Sequence, residues 1–134
     1  MSDRDEPDAP AGDLVLQTFA MPADTNANGD IFGGWLMAQM DLGASVVAKT
    51  RARGRVVTLK VDEMFFLNPV HVGDLVTLYG SLLTEGRTSM RIGVEAWITR
   101  ATPAVERYRV TKAEFTFVAV DEDGRSRPLP QLAT

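Results

Sequence analysis

The spacing of hydrophobic residues predicts one strand, one long helix and then about four more strands. Residues 14–21 (LVLQTFAM) form an apolar run that ends at Pro22. Residues 34–53 contain no proline and are rich in Leu, Met, Ala and Val, a composition that favours a helix. The period then changes to two in runs that cover residues 57–67, 75–83, 90–98 and 108–120. Short connections favour antiparallel pairing, so we expect an α+β domain with one sheet wrapped around one apolar helix.

The predicted helix has a broad apolar arc. Leu36, Met40 and Val47 fall in a narrow sector when successive residues are turned by about 100°, which predicts that the first three turns are buried. Cations gather in the last turn, where the helix dipole favours them. Gly54 follows and suits the left-handed residue that often ends a helix.

The acidic balance of the sequence is confined to its first 13 residues. The whole chain has 18 Asp and Glu against 14 Lys and Arg, a formal net charge of −4 at pH 7. Residues 1–13 hold five acids and one base, and their composition predicts a disordered tail before a single domain at 14–134. The rest of the chain is balanced in charge. Because phosphate binding along a nucleic acid needs clustered cations, we expect no nucleic-acid partner.

The residue types that several catalytic and metal sites require are missing. The 134 residues include no cysteine and a single histidine, His71, which excludes disulfides, cysteine-based zinc sites and cysteine nucleophiles. His71 lies in a predicted turn, and Ser45 is not in a Gly-x-Ser-x-Gly motif. We therefore expect no metal site. The sequence starts without the features of a secretory signal and has no run long enough to cross a membrane, so we expect a cytoplasmic protein without integral membrane association.

Asp41 is the most unusual residue of the predicted helix. Its neighbours one turn away are Met37, Ala38, Ala44 and Ser45, none of which is a cation. A carboxylate in an apolar helix is costly to desolvate, and such an environment prepares a general base or a nucleophile. An exposed aspartate at the edge of the helix, or one bound to a loop N–H, fits the same spacing. Both readings stay open at this point.

A polar loop at residues 25–30 (TNANGD) leads to Gly33 and Gly34 at the start of the helix. Glycines at a helix N-terminus allow a ligand to approach the free backbone N–H groups, which suits a phosphate or a developing oxyanion. The spacing lacks the Gly-Lys-Ser/Thr of a P-loop. A simple turn capped by its asparagines explains the same residues.

Two groups of basic residues could meet an anionic ligand. Arg87, Thr88 and Ser89 place one cation and two hydroxyls at the tip of a predicted hairpin. A second group, Lys49 to Lys60, has five cations and no acid. A solvated charged surface is the default explanation of such a run.

Residues 20–41 (AMPADTNANGDIFGGWLMAQMD) closely resemble the signature of hot-dog-fold acyl-CoA thioesterases of the YciA type. The likeness extends over about residues 14–130, through GRVVT, FLNPVHVGD, VEAW and FVAVD. The family's fold is a long central helix wrapped by a curved antiparallel sheet. Its protomers pair with active sites across the dimer interface, so the resemblance implies at least a homodimer and often a hexamer built as a trimer of dimers.

The resemblance also implies a reaction, which is hydrolysis of acyl-CoA to a free carboxylic acid and CoA. CoA would be part of the substrate and product, with no separate cofactor. Asp41 would be the catalytic carboxylate, as general base or nucleophile, with Asn26 as its loop partner and the N–H at Gly34 or nearby as oxyanion donor. The residues expected to contact the substrate, including the CoA phosphates, are Gly33, Thr58, Arg87, Thr88 and Ser89.

Two other functions share the expected fold. A non-catalytic acyl-CoA binding or assembly module would carry the same sheet and helix, because fold does not determine function. A hot-dog dehydratase usually has a catalytic histidine, and His71 lies in a turn, which makes this the weakest alternative. Asn68 stands where relatives often carry a different polar or basic residue, so the preferred acyl chain is left open.

Overall fold

The computed structural model describes residues 9–101 and 103–132. The elements in this part of the chain, in order, are β1 (Asp13–Phe19), a 3-10 turn (Pro22–Asp24), α1 (Gly33–Ala52), β2 (Val56–Phe66), β3 (Leu75–Glu85), β4 (Ser89–Arg100) and β5 (Glu106–Ala119). The predicted elements are therefore all present, with ends that differ from the prediction by at most two residues. Strand β1 begins at Asp13, the last residue of the predicted tail, and residues 1–8 of that tail lie outside the described residues.

The five strands form one sheet in the order β1-β3-β4-β5-β2, and every neighbouring pair is antiparallel. Helix α1 contacts all five strands. A helix is about 10 Å wide and adjacent strands lie about 4.8 Å apart, so contact with every strand requires the sheet to curve around the helix. The expected α+β hot-dog arrangement is confirmed.

The core lies between the helix and the concave face of the sheet. Strand β4 alternates up to residue 96, with its even-numbered residues buried, and Trp97 is also buried after an irregularity between Ala96 and Trp97. The largest fully buried side chains include Met40, Leu78, Ile92, Phe115 and Phe117. Small residues on the helix let the sheet approach closely; the buried ones are Gly43, Ala44, Ala48 and Ala52.

The expectation that the first three helical turns are buried is wrong for one side of the helix. Leu36 and Met40 are buried, whereas Met37 is 39% exposed and Leu42 is 56% exposed. The sheet covers only one side of α1, so apolar residues on the other side remain uncovered within the chain. This open side carries Asp41.

The helix ends one residue earlier than Gly54 predicts. Arg53, not Gly54, adopts the left-handed conformation (φ 53°), and its N–H donates to the Lys49 carbonyl. Position 54 favours glycine for a different reason: a Cβ there would lie only 2.9 Å from Nη2 of Arg127. That nitrogen donates to the Ala52 carbonyl, also at 2.9 Å, and caps the helix.

Strands β1 and β2 are the two edges of the sheet. Strand β2 is largely exposed and carries apolar side chains that solvent reaches; these are Val57, Leu59, Phe65 and Phe66. An exposed apolar edge strand is a template for pairing with another chain. Across residues 9–101 and 103–132, no helix is both long and apolar enough to cross a membrane.

Candidate active site

Asn26 organises the polar loop through its backbone and its side chain. Its Oδ1 accepts the backbone N–H groups of Asn28 (2.9 Å) and Asp30 (3.2 Å). Its own backbone N–H donates to the Asp30 carbonyl at 2.7 Å. These bonds hold the amide in one orientation, and its Nδ2 has no acceptor among the described residues. The loop therefore presents a side-chain amide as a free donor.

A second loop, residues 67–74, supports the first. The Ile31 N–H donates to the Val70 carbonyl at 3.0 Å, and the backbones of Asp30 and His71 form an isolated bridge. His71 is a turn residue, as expected, with its Nε2 3.8 Å from an Asp30 carboxylate oxygen. The two loops thus form one unit beside the start of α1.

The start of α1 has no side-chain cap. Phe32 is the N-cap residue and makes no side-chain hydrogen bond to the first turn. Gly33 and Gly34 are exposed, and a Cβ at Gly34 would meet nothing within 4 Å. A Cβ at Gly33 would lie 3.3 Å from the ring of Phe66. The first turn of α1 is therefore open around the Gly34 Cα, with an aromatic ring beside Gly33.

A pocket of about 340 Å³ adjoins this helix start. Its walls are mostly apolar, with Asp30 and Asn68 as polar members. The Asn68 side chain donates to the Arg109 carbonyl at 3.0 Å, which fixes it in the pocket wall. A cavity with apolar walls next to unsatisfied backbone donors suits a ligand that has a carbonyl group and an apolar chain.

Asp41 lies half-buried on the open side of the helix. Its Oδ1 accepts the hydroxyl of Thr58 on β2 at 2.7 Å. Within the described residues no cation lies within ion-pair distance of its carboxylate. One carboxylate oxygen is thus held by a neutral donor, and Oδ2 is left for another partner. Asp41 is thus neither fully exposed nor bound to a loop N–H among the described residues, and its catalytic role stays a prediction.

Gly34 and Asp41 of one chain are far apart along the helix. They are separated by seven residues, which corresponds to about 10 Å at 1.5 Å per residue. A carbonyl oxygen bound in an oxyanion site lies about 3 Å from its donor, and the attacking atom approaches the carbon to about 3 Å. Direct attack by Asp41 on a carbonyl held at Gly34 of the same chain does not fit this separation.

The Arg87, Thr88 and Ser89 hairpin lies at the other end of the helix. The backbone carbonyls of Arg87 and Thr88 accept the N–H groups of Leu129 and Ala119, both at 2.9 Å. The Arg87 side chain is exposed and has no partner among residues 9–101 and 103–132. One chain therefore does not bring this hairpin together with Gly34.

Part of the basic run after the helix is already paired. Arg51 makes a two-pronged contact with Glu85, at 2.7 and 2.8 Å, and also donates to the Pro130 carbonyl. The hydrogen bonds between them raise the pKa of Arg51 and lower that of Glu85. Lys60 pairs with Asp62 at 3.3 Å.

Three contacts at the site were missed by sequence reasoning. They are the bond from Thr58 to Asp41, the ring of Phe66 over Gly33, and the support of the Asn26 loop by residues 67–74. Each joins residues that are distant in sequence, so no local pattern signals it.

No group of three or more His, Asp or Glu side chains that could hold a metal is found in the part of the chain that the structure describes.

Comparison with known sequences identifies relatives over most of the chain. Residues 28–105 match the family model of the Thioesterase superfamily. The chain is 56% identical over 123 residues to the acyl-CoA thioester hydrolase YciA of Salmonella typhimurium, which covers 90% of this chain and 92% of that relative. It is 55% identical to the YciA enzyme of Escherichia coli K12, over 90% of this chain and 93% of that one.

Solved structures agree with the sequence relatives. A hexameric thioesterase from Yersinia pestis superimposes with a TM-score of 0.88 at 55% identity, over 92% of this chain and 100% of that chain. HI0827 is a hexameric broad specificity acyl-coenzyme A thioesterase that was solved as an aspartate-to-alanine variant. It superimposes with a TM-score of 0.87 at 56% identity, over 90% of this chain and 88% of that chain.

A more distant structure includes ligands. The acyl-CoA hydrolase of Staphylococcus aureus, in complex with butyryl coenzyme A, coenzyme A and coenzyme A disulfide, has a TM-score of 0.78 at 30% identity, over 86% of this chain and 70% of that one. An asparagine-to-alanine and an aspartate-to-alanine variant of that enzyme have also been solved. These matches and the fold show that the chain belongs to the thioesterase superfamily and, within it, to the YciA-type acyl-CoA thioester hydrolases.

Proposed function

We propose that this protein hydrolyses the thioester of acyl-CoA to a free carboxylic acid and CoA. The observation that carries the proposal is Asp41, a carboxylate without a nearby cation, oriented by Thr58 on the open side of the helix. The free N–H groups at Gly33 and Gly34 add the donors that a tetrahedral intermediate needs. The relatives named above are acyl-CoA thioester hydrolases, which supports the same substrate class.

The proposed site combines two copies of the chain. The helix start of one copy supplies the oxyanion donors, and the second copy supplies Asp41, because the same-chain pair is about 10 Å apart along the helix. The exposed apolar edge of β2 offers the surface on which the copies pair. Two of the structural relatives are hexamers, so we propose a dimer as the catalytic unit and a hexamer of three dimers as the assembly.

The reaction needs only the thioester and water. The carbonyl oxygen accepts the Gly34 N–H, and Nδ2 of Asn26 donates to the same oxygen. Asp41 then takes a proton from a water that attacks the carbonyl carbon, or attacks it directly and forms an anhydride that water cleaves. The carbon–sulfur bond breaks, the thiolate leaves, and the proton removed from water neutralises it. No cofactor takes part, since CoA enters with the substrate and leaves as the product.

Asn26 and Asp41 are supported as a pair by their spacing. In the Staphylococcus aureus hydrolase, the asparagine and the aspartate replaced by alanine are separated by the same interval along the chain as Asn26 and Asp41. Thr58, expected to contact substrate, donates to Asp41. We therefore assign it to holding the carboxylate, with Oδ2 facing the reacting atoms.

The nucleotide end of CoA is proposed to meet Arg87, Thr88 and Ser89. Glu85, at the base of the hairpin, pairs with Arg51, ten residues after Asp41. Ten residues of helix place Arg51, and with it the base of the hairpin, about 15 Å from Asp41 along the helix axis. The extended pantetheine arm of CoA can span this length. Because a CoA thioester carries several phosphate charges and does not cross a lipid bilayer unaided, we propose that the protein acts in the cytoplasm.

The test is release of free thiol from a panel of acyl-CoA substrates of increasing chain length, by the wild type and by Asp41→Asn. The wild type should release thiol. Asp41→Asn should be slower by about a thousandfold, the usual scale for a lost general base, and should still bind CoA. Asp123→Asn, in an exposed turn, is the matched control. Binding of acyl-CoA by the wild type without thiol release would favour the non-catalytic binding module, and full activity of Asp41→Asn would refute the role of Asp41.

A further inference from the structure

An ion pair between the buried Asp74 and the partly buried Arg100 lies at the base of the loop that supports Asn26. The carboxylate of Asp74, which is 2% exposed, accepts two bonds from Arg100 at the end of β4. Nε of Arg100 donates to Oδ1 at 2.9 Å and Nη2 donates to Oδ2 at 2.7 Å. Arg100 is fixed in turn by the hydroxyl of Tyr108, at 2.9 Å from Nη1, and these contacts hold the pKa of Arg100 above its usual value.

Asp74 also shapes the loop itself. Its Oδ2 accepts the His71 N–H at 2.8 Å, and its own N–H donates to the His71 carbonyl at 3.1 Å. Its carbonyl accepts the Ala20 N–H at 3.0 Å, and the Ala20 carbonyl accepts the N–H of Gly73 at 2.8 Å. The pair therefore fixes residues 71–74 and ties them to the segment that leads into the Asn26 loop.

Hydrogen bonds and the short backbone segments between them connect the ion pair with Asn26. Val70, the residue before His71, accepts the N–H of Ile31 at 3.0 Å, and this bond makes the isolated bridge between Asp30 and His71. Asp30 in turn donates its N–H to Oδ1 of Asn26 and accepts the Asn26 N–H. Any shift of residues 71–74 would be transmitted to the atoms that orient the Asn26 amide.

We infer that Asp74 and Arg100 are positioning residues that hold Nδ2 of Asn26 toward the thioester carbonyl. This inference rests on the proposed function. A buried charged pair commonly stabilises a fold no more than an apolar pair of similar size does, so stability alone gives little reason for charges at this place. A bidentate pair does fix geometry, because both partners are planar and their two bonds define one orientation.

The test is a double-mutant cycle with Asn26, read as kcat and KM for thiol release. Arg100→Gln should lower kcat by about tenfold, since small misplacements of a catalytic group have effects of this order or larger. KM should change less, because the CoA contacts lie elsewhere. Combining Arg100→Gln with Asn26→Ala should cost no more than Asn26→Ala alone, because both changes remove the same interaction.

The control is a second bidentate pair, between Arg51 and Glu85. Glu85→Gln breaks the bond to Arg51, at distances that match those of the Asp74 pair. No hydrogen-bond path joins Glu85 to Asn26 among the described residues. The losses of kcat caused by Glu85→Gln and by Asn26→Ala should therefore multiply. Arg100→Lys keeps the charge and should recover part of kcat, and it replaces Arg100→Gln in the cycle if the glutamine variant does not fold.

A second readout does not depend on turnover. The side-chain amide signals of Asn26 in an NMR spectrum, assigned by their loss in Asn26→Ala, should shift in Arg100→Gln and stay in place in Glu85→Gln. If the wild type releases thiol but the Arg100 and Asn26 effects multiply and the amide signals do not move, the positioning role is wrong. If the wild type releases no thiol, the proposed function fails first, and the positioning role fails with it.

Discussion

Side chains and backbone cap the unpaired groups at the C-terminal end of α1, whereas those at its N-terminal end have no side-chain cap. At the C-terminal end, Arg127 donates to the Ala52 carbonyl, and Arg53 turns left-handed so that its N–H reaches the Lys49 carbonyl. At the N-terminal end, no side chain caps the first turn, and Gly33 and Gly34 leave its donors accessible. Every helix has four orphan groups at each end, and those that are not satisfied reduce stability.

The difference separates a structural end from a functional end. Arg51, in the last turn of the helix, also pairs with Glu85 and donates to the Pro130 carbonyl. These contacts attach the hairpin and the C-terminal segment to this end of the helix. The N-terminal end instead adjoins a pocket and a loop with a free amide donor. Donors left open beside a cavity are available to a ligand, and the dipole of a 20-residue helix makes the same place favourable for negative charge.

Of changes made at the two ends of the helix, the largest effect is expected at the open end. Gly34→Pro removes one N–H at a position in the first turn, where a helix tolerates proline. Loss of one oxyanion donor should lower kcat by about a hundredfold, measured as thiol release from acyl-CoA. Gly34→Ala keeps the N–H and serves as the control, with a smaller loss. Equal losses in the two variants would show that crowding, and not the donor, matters at Gly34.

A smaller effect, on stability and not on chemistry, is expected at the capped end. Arg127→Ala removes charged hydrogen bonds to the Ala52 and Val120 carbonyls. The free energy of unfolding in urea should fall by about 2 kcal/mol, with kcat retained at temperatures where the variant is folded. Arg125→Ala, in a neighbouring exposed turn, should unfold like the wild type. A large loss of kcat in folded Arg127→Ala would contradict the division between the two ends.

The smallest effect is expected for the Arg51–Glu85 pair, and it depends on pH. The hydrogen bond from Arg51 holds the pKa of Glu85 below its usual 4.5. The pair therefore stabilises the fold above about pH 5, and this contribution is lost as the pH falls through the lowered pKa. Glu85→Gln should lower Tm slightly near pH 7, and the difference from the wild type should shrink as the pH falls through the lowered pKa of Glu85. A Tm difference that stays constant with pH would mean that the charge of Glu85 is not involved.

The elements of this fold could be predicted from sequence because their signals are local. A proline-free apolar segment indicated α1, and alternation with a period of two indicated β2 to β5. The left-handed end at Arg53 was not predicted, and Arg127, which caps the same helix end from 75 residues away in sequence, gives no local signal. Gly54 was the reasonable choice, and its close approach to Arg127 explains why glycine is present there.

The candidate site was predictable only as a set of residues. The loop and helix motif, through its resemblance to a known family, predicted Asn26, Gly34 and Asp41, but in the proposed site their grouping depends on how two copies pair. The Phe66 ring reaches Gly33 after an irregularity between Asp62 and Phe65 in β2, and such shifts change which face a side chain occupies. No local pattern reports that shift.

The most direct test of the account is complementation between two inactive variants. Asp41→Asn and Asn26→Ala, each expected to be nearly inactive alone, are co-expressed so that mixed dimers form. In a mixed dimer one site has both wild-type groups, Asn26 from one copy and Asp41 from the other. With random pairing, activity should return to about a quarter of the wild-type value, because half of the dimers are mixed and each holds one intact site. A mixture no more active than the separate variants would contradict an active site shared between two copies.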